Sequence, residues 1–296
     1  MATVHLVDAS PYIFRAHFSL PASIKTPDGS PAAAAYGFTS FLLKLIADEK
    51  PSHLGVAFDR HLSSSFRNDF FPAYKAQRVK PPPEIEAQID TCLEIASALG
   101  AATFIDDRYE ADDLIGTLCA RLEAAGHGAV IVTSDKDLAQ LVTDRTSLLD
   151  FGKELRYTPA SVREKFGVRP DQMTDFLGLA GDAVDNIPGV KGIGPTSAAE
   201  LLARFGHLED LYARLEELPW LPIRAAKSLH AKLAAAREIA LLSKQLATVA
   251  AEVPGVKADL KDLEYRGADP TQVETLFSRL GFNKIRDRVP FGPRRD

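Results

Sequence analysis

Three apolar runs of the chain end in aspartate: HLVD at Asp8, GVAFD at Asp59, and VIVTSDKD at Asp135 and Asp137. A further segment, RYEADDLIG, places Glu110, Asp112 and Asp113 at the start of an apolar helix, and GDAVDNIPGV carries Asp182 and Asp185. Residues three apart share one face of a helical turn, which is the expected setting of that last pair. Any one of these acids alone reads as a helix cap or a turn residue, and Asp112 suits a helix dipole without a metal. Nine of them aimed at one place is a different matter, because crowded carboxylates repel and raise one another's pKa. Divalent cations resolve that repulsion. Every candidate ligand is an oxygen, and the seven histidines are scattered, so the donor set selects Mg²⁺, with Mn²⁺ as a substitute, over zinc or copper.

Such convergence needs a scaffold. Short apolar strands are expected at 5–7, 54–58, 103–105, 129–133 and 147–151, alternating with amphipathic helices at 32–48, 84–99 and 111–125. The second of these helices carries Ile85, Ile89, Leu93 and Ala96 at helical spacing and stops at Gly100. Alternation of this kind predicts an α/β fold, a mostly parallel central sheet flanked by helices. In an open parallel sheet ligands bind at the carboxyl ends of the strands, which is where the aspartates fall. From about residue 157 the strands cease and helical patterns take over at 159–166, 170–179, 196–205, 208–215 and 225–246. The expected division is therefore 1–157 and 158–296. There is no internal repeat, and the tail FGPRRD is expected to fray.

Two further segments bear on a partner. Residues 61–83, HLSSSFRNDFFPAYKAQRVKPPP, set Arg67, Lys75, Arg78 and Lys80 among Phe66, Phe70, Phe71 and Tyr74, with Asp69 the single acid. A basic and aromatic insertion where a short loop would serve is a functional candidate. Residues 187–202, IPGVKGIGPTSAAELL, place Gly189, Gly192 and Gly194 in a turn ahead of Pro195, with Lys191 beside them. A helix–turn–helix of this kind grips a phosphate backbone through amides and a helix N-terminus. It is neither a Walker loop nor a dinucleotide fingerprint.

Composition sets the limits. With 46% hydrophobic and 25% charged residues in 296, the chain has the make-up of a soluble globular protein. It has no 18-residue apolar run and no basic, then apolar, leader, so neither a membrane span nor a secretion signal is expected. Cys92 and Cys119 lie in helical patterns and read as small buried hydrophobes of a reducing compartment, so the cytoplasm is the expected location. A net charge of −5 argues against nucleic acid, but setting the nine clustered acids aside leaves a surplus of four positive charges elsewhere.

At these residues the chain resembles the bacterial 5′ nuclease family, which includes the 5′–3′ exonuclease domain of DNA polymerase I and the flap endonucleases. The resemblance is carried, in order from residue 4 to about 285, by LVDAS, SPYIFRAHF, FRNDFFPAYKAQR, YEADDLIGTLCARLEAAG, VTSDKDLAQLV and DFLGLAGDAVDNIPGVKGIG. It implies a PIN-like 5′ nuclease core and a structure-specific, metal-dependent nuclease that cuts 5′ flaps and degrades DNA from 5′ ends, RNA primers included. All nine acids fall on the family's metal-site positions, where two or three ions hold the phosphate and activate water. The insertion resembles the family's arch. Lys75 and Arg78 match residues that steer the phosphate, Arg15 a position near it, and Tyr74 and Phe66 are placed to stack on a displaced base beside Arg67. The glycine turn resembles the duplex-binding motif, where backbone carbonyls often also hold K⁺.

The chain departs from the family in three places, the smallest being Asp8-Ala9-Ser10 where the family commonly has Asp-Gly-Ser. Gly194-Pro195-Thr196-Ser197 stands where the family commonly has Gly-Glu-Lys-Thr, so a phosphate-contacting lysine is absent. The sequence also ends before any proofreading or polymerase segment, so a stand-alone, monomeric nuclease is expected in replication and repair. Two alternatives stay open at this point: a PIN-type ribonuclease, and a structure-specific DNA-binding protein with weak or no catalysis.

Overall fold

The apolar runs that end in aspartate form strands because Val, Leu and Ile fill both faces of each, the pattern of a parallel sheet covered on two sides. The computed structural model describes residues 1–61 and 65–292; residues 62–64 of the insertion and 293–296 of the tail, with its expected fraying, lie outside the described residues. Six strands are described: β1 (Thr3–Asp8), β2 (Leu54–Asp59), β3 (Ala102–Asp106), β4 (Gly128–Val132), β5 (Thr146–Asp150) and β6 (Leu155–Tyr157). They form one sheet of order β3-β2-β1-β4-β5-β6, parallel except for the antiparallel β6. The order reverses between β1 and its neighbour β4, which opens a crevice at their carboxyl ends.

Thirteen α-helices are described. The first five are α1 (Ser10–Ser19), α2 (Ala33–Glu49), α3 (Arg67–Phe70), α4 (Pro83–Ala98) and α5 (Ala111–Ala124). After the sheet come α6 (Pro159–Phe166), α7 (Met173–Ala180), α8 (Pro195–Phe205), α9 (Leu208–Ala213), α10 (Ala226–Ala235) and α11 (Arg237–Ala247). The last two are α12 (Pro270–Leu280) and α13 (Asn283–Arg286). Among the described residues no helix is long and apolar enough to cross a membrane.

The core is two clusters, one on each face of the sheet. One face packs α5 and the helices from α7 to α11; the other packs α1, α2, α4 and α12. Both cysteines are buried and free, as their helical settings predict. The helix expected at 225–246 is two helices that break at Ala236 (φ −121°), because α10 packs on residues 215–220 and α11 on α7.

The division at 157 needs correcting for the end of the chain. Residues 263–285 do not stay with the helical half: the Leu54 amide donates to Leu263 O at 2.8 Å, and Val273 and Phe277 of α12 are buried against the α2–α4 face. Asp269 caps α12 by accepting from the amides of Thr271 and Gln272 at 2.9 and 3.0 Å, which fixes its start.

Candidate active site

The crevice between β1 and β4 contains a cavity of about 410 Å³ lined by Asp8, Asp59, Glu110, Asp112 and Asp135, with Lys75 and Arg78 at its side. Each carboxylate is positioned by the element it terminates or begins. Asp8, last in β1, accepts from Thr133 Oγ1 at 2.8 Å, from the residue just beyond β4. Asp59, last in β2, accepts from the Ala111 amide at 2.8 Å and from Ser10 Oγ at 2.5 Å, tying β2 to the starts of α5 and α1. Asp135 accepts from the Asp137 amide at 2.8 Å in the turn after β4.

Burial pushes the Asp8 carboxyl up to about 8, with Asp59 and Asp135 adding repulsion. Asp59 is raised by burial and then by Glu110, and Asp112 well above the usual range by burial and by Asp135 and Asp8. Asp137, in the same turn, rises to about 7 through burial and the nearby Asp135, although Lys136 Nζ stands 3.5 Å from its Oδ1 without making a hydrogen bond. An all-oxygen donor set in which burial and like charges raise several carboxyl pKa values fits a hard divalent cation. The acids stand around the cavity rather than closed to ligand spacing: among the described residues no three form a ready-made metal group.

The remaining acids already hold cations. Lys75 pairs with Glu110 and stands 3.7 Å from Asp185, while Arg78 pairs with Asp185. Burial opposes the Lys75 charge, yet Glu110, Tyr74 and Asp185 together hold its ammonium well above the usual range. Glu110 lies below the usual carboxylate range in spite of its burial, because Lys75 and Arg67 flank it. Lys75 has a left-handed backbone (φ 56°) and its amide donates to Asp185 O at 3.0 Å, so the insertion is latched to the loop at 182–187. Lys136, between the two acids of SDKD, pairs with Asp182. That pair, with the Val184 amide, holds Asp182 below the usual range against burial.

The glycine turn follows that loop. The Val190 amide donates to Leu179 O at 2.8 Å and the Gly189 amide to Ser243 Oγ at 3.0 Å, which docks the turn on α7 and α11. Gly189 (φ 60°) has no room for a side chain, since a Cβ would lie 2.4 Å from the Gly181 nitrogen. Lys191, Gly192 and Gly194 are exposed, and Gly194 precedes α8 with no side-chain cap on the helix amides.

Residues 3–167 match the family model of the 5′–3′ exonuclease N-terminal, resolvase-like domain, and residues 168–271 that of the 5′–3′ exonuclease C-terminal SAM fold. The chain belongs to the 5′–3′ exonuclease family. It is 38% identical over 288 residues to DNA polymerase I of Bacillus subtilis, covering 96% of this chain and 32% of that protein. With DNA polymerase I of Pseudomonas aeruginosa it shares 43% identity over 253 residues, 85% of this chain and 28% of that one. The chain thus spans about a third of the length of these relatives. In fold it is similar to the bacteriophage T5 D15 protein co-crystallized with metal ions, at TM-score 0.69 and 22% identity, covering 83% of this chain and 89% of that one. The T5 D15 flap endonuclease complexed with DNA and metal ions gives TM-score 0.65 and 22% identity over 97% and 96% of the two chains. For the Rad2 catalytic core with DNA substrate the values are 0.61 and 18% over 97% and 91%.

Within this 5′–3′ exonuclease architecture several expected site residues take other places. Asp113 does not face the cavity. It is fully buried and bound by Arg67, Nη1 and Nη2 donating at 2.9 and 2.8 Å, and it also accepts from the Ala250 amide at 2.9 Å. Arg67 is 3% exposed and its guanidinium is engaged by Glu110 and Asp113. Tyr74, 4% exposed with its hydroxyl 3.2 Å from Glu110, has no face open to stack on a base. Phe66 packs on Tyr109 and under the Arg67 guanidinium. Arg15 lines a different cavity, with Tyr12, Phe151 and Gly152, and is not among the residues lining the carboxylate cavity. The Gly189 amide is engaged by Ser243 and is not available to a phosphate. Asp182 and Asp185 sit in a tight loop, not a helical turn: α7 stops at Gly181 (φ 74°), and Asp182 and Ile187 bridge at 2.9 and 2.8 Å. Sequence reading passed over Ser10, Thr133 and Lys136, all within two residues of a cavity acid.

Proposed function

We propose that this chain is a divalent-metal-dependent nuclease that cuts 5′ flaps and degrades DNA, including RNA-primed ends, from the 5′ terminus as a monomer. The observation that carries this reading is the convergence of Asp8, Asp59, Glu110, Asp112 and Asp135, from four elements, on one cavity beside Lys75 and Arg78. Asp8, Asp59, Asp112, Asp135 and Asp137 would hold the ions, Mg²⁺ by donor type, with Glu110, Asp182 and Asp185 joining where their present cations yield. Bound there, the ions supply charge neutralisation and an activated water. Thr133 and Ser10 donate hydrogen bonds to the Asp8 and Asp59 carboxylates and so set the direction each presents to the cavity. Lys75 and Arg78, held at the mouth by the insertion, offer the donors that bind a phosphodiester and stabilise its developing charge. Duplex DNA beyond the cut would lie on the exposed amides at Gly192 and Gly194 with Lys191.

The test is a 5′-labelled double-flap DNA incubated with purified protein and Mg²⁺, Mn²⁺ or EDTA. The expected result is metal-dependent product at the flap junction or one nucleotide inside it. Tight binding without cleavage at any metal concentration would make the chain a DNA-binding protein with a silent site. Equal cleavage of a structureless RNA would move it to the ribonucleases.

A further inference from the structure

The family resemblance implies a K⁺ ion at the backbone carbonyls of the glycine turn, and here the turn does not fit one. Lys232 of α10 reaches across, and its Nζ donates to Gly192 O at 3.1 Å. Its stem lies along the turn: a Cβ built on Gly192 (φ 79°) would sit 2.8 Å from the Lys232 Nζ, 3.3 Å from Cε and 3.8 Å from Cδ. Ile187 O, Val190 O and Gly194 O each accept one amide, from Asp182 at 2.9 Å, Ile193 at 2.9 Å and Ala198 at 3.0 Å, which leaves each a second lone pair for a cation wherever the Lys232 ammonium is removed. Leu229 and Leu233, buried on either side of Lys232 in the sequence of α10, anchor the helix that delivers the ammonium.

We propose that the Lys232 ammonium takes the place of a free monovalent cation at the glycine turn, so that this chain grips duplex DNA without K⁺. A carbonyl turned toward a phosphate presents the negative end of its dipole, and a cation seated on it reverses the local sign. An ammonium is a unit charge with three donors, of which Gly192 takes one. It also returns to the turn the positive charge that Pro195-Thr196-Ser197 lacks. The inference rests on the turn being the duplex grip, so the test carries a readout that needs no DNA.

Thermal unfolding and duplex anisotropy are measured for the wild type and Lys232→Met, in KCl and in tetramethylammonium chloride at matched ionic strength. The wild type is expected to melt and bind alike in both salts, within about twofold in affinity. Lys232→Met is expected to lose about tenfold in affinity without K⁺, the scale of one charge-assisted contact, and to recover most of it in KCl. The variant alone should gain thermal stability from K⁺. A wild type that needs K⁺, or a variant equally impaired in both salts with no K⁺-selective melting shift, overturns the assignment. A K⁺-selective shift in the variant, with no duplex binding by either protein, would uphold the Lys232 assignment and refute the duplex reading.

Discussion

Replacing Arg67 separates a buried structural cation from one that meets DNA. Its guanidinium makes five hydrogen bonds: Nε to Leu246 O at 2.9 Å, Nη1 to Glu110 and Asp113 at 2.9 Å each, and Nη2 to Asp113 at 2.8 Å and Thr248 O at 2.9 Å. Arg67→Met keeps the stem and removes the fork, leaving Asp113 fully buried with only the Glu110 and Ala250 amides as partners. Breaking one side of a buried ion pair costs about 3–5 kcal/mol, most of it the charge left behind. With an unfolding entropy of about 2 cal/mol/K per residue over 296 residues, that is a Tm lowered by roughly 5–8 °C.

The assay is calorimetric or circular-dichroism melting in EDTA, with flap-DNA anisotropy measured well below the transition. The expected outcome is the lowered Tm with affinity within about threefold of wild type. The double variant Arg67→Met with Asp113→Leu should recover at least half of the loss, since a well-packed apolar pair often equals a buried ion pair. A variant that melts within 2 °C of wild type, as against the 5–8 °C expected for a buried pair, and binds DNA tenfold more weakly would refute the buried role and restore Arg67 to the DNA surface.

The other predictions concern the cavity. Lys75→Ala is expected to slow single-turnover cleavage by about 10²-fold, the scale of one charge-stabilising group; an unchanged rate removes Lys75 from the chemistry. Asp135→Asn should abolish cutting while flap binding stays within severalfold, and normal turnover would sink the metal reading. Asp112→Asn should do the same, whereas Asp113→Asn should chiefly lower the Tm; equal loss of cleavage per folded molecule in both would return Asp113 to the cavity. The Asp8 carboxyl is pushed up to about 8 and that of Asp137 to about 7. Raised carboxyl pKa values favour the folded state at acid pH, and that contribution is lost as pH rises from about 4 through 8. The metal-free protein should therefore lose stability over that interval. Divalent-ion affinity, read by calorimetry, should tighten as pH rises because each ion must displace those protons. A flat metal affinity between pH 6 and 8 would refute both shifts.

The parts of the fold that the sequence disclosed are those with local causes. Each expected strand forms within a residue or two of its expected place, because apolar runs bounded by turns and ended by aspartate leave few other solutions. Helix α6 begins at Pro159 after the Thr158 cap and ends before Gly167, signals that lie inside ten residues. Helix α12 carried equally local signals, Asp269 and Pro270 at its start and Gly281 past its end, which were legible but not used. Strand β6 was not legible, since three residues give too little periodicity to count. The loop of Asp182 and Asp185 was misread because a separation of three is shared by a helical turn and a tight loop, and only the Asp182–Ile187 bridge distinguishes them.

The harder case is the insertion, where Arg67, Lys75 and Arg78 look alike in sequence and meet different fates. The partners of Arg67 stand 43, 46, 179 and 181 residues away, so nothing near it in the chain marks it as buried. Its five bonds and 3% exposure tie the root of the insertion to α5 and the end of α11. Lys75 and Arg78 pair instead with acids that line or border the cavity, one of them from a strained backbone. These two classes of cation divide the nine acids. Asp113 has a permanent partner, Glu110, Asp182 and Asp185 have partners at the cavity edge, Asp137 has only the exposed Lys136 at 3.5 Å, and Asp8, Asp59, Asp112 and Asp135 have no ion pair among the described residues. A buried carboxylate crowded by like charges and without a cation has the most to gain from binding one. The charge a metal would meet is thus concentrated at the sheet's reversal point, while the cations that could meet a phosphate stand on the insertion facing it.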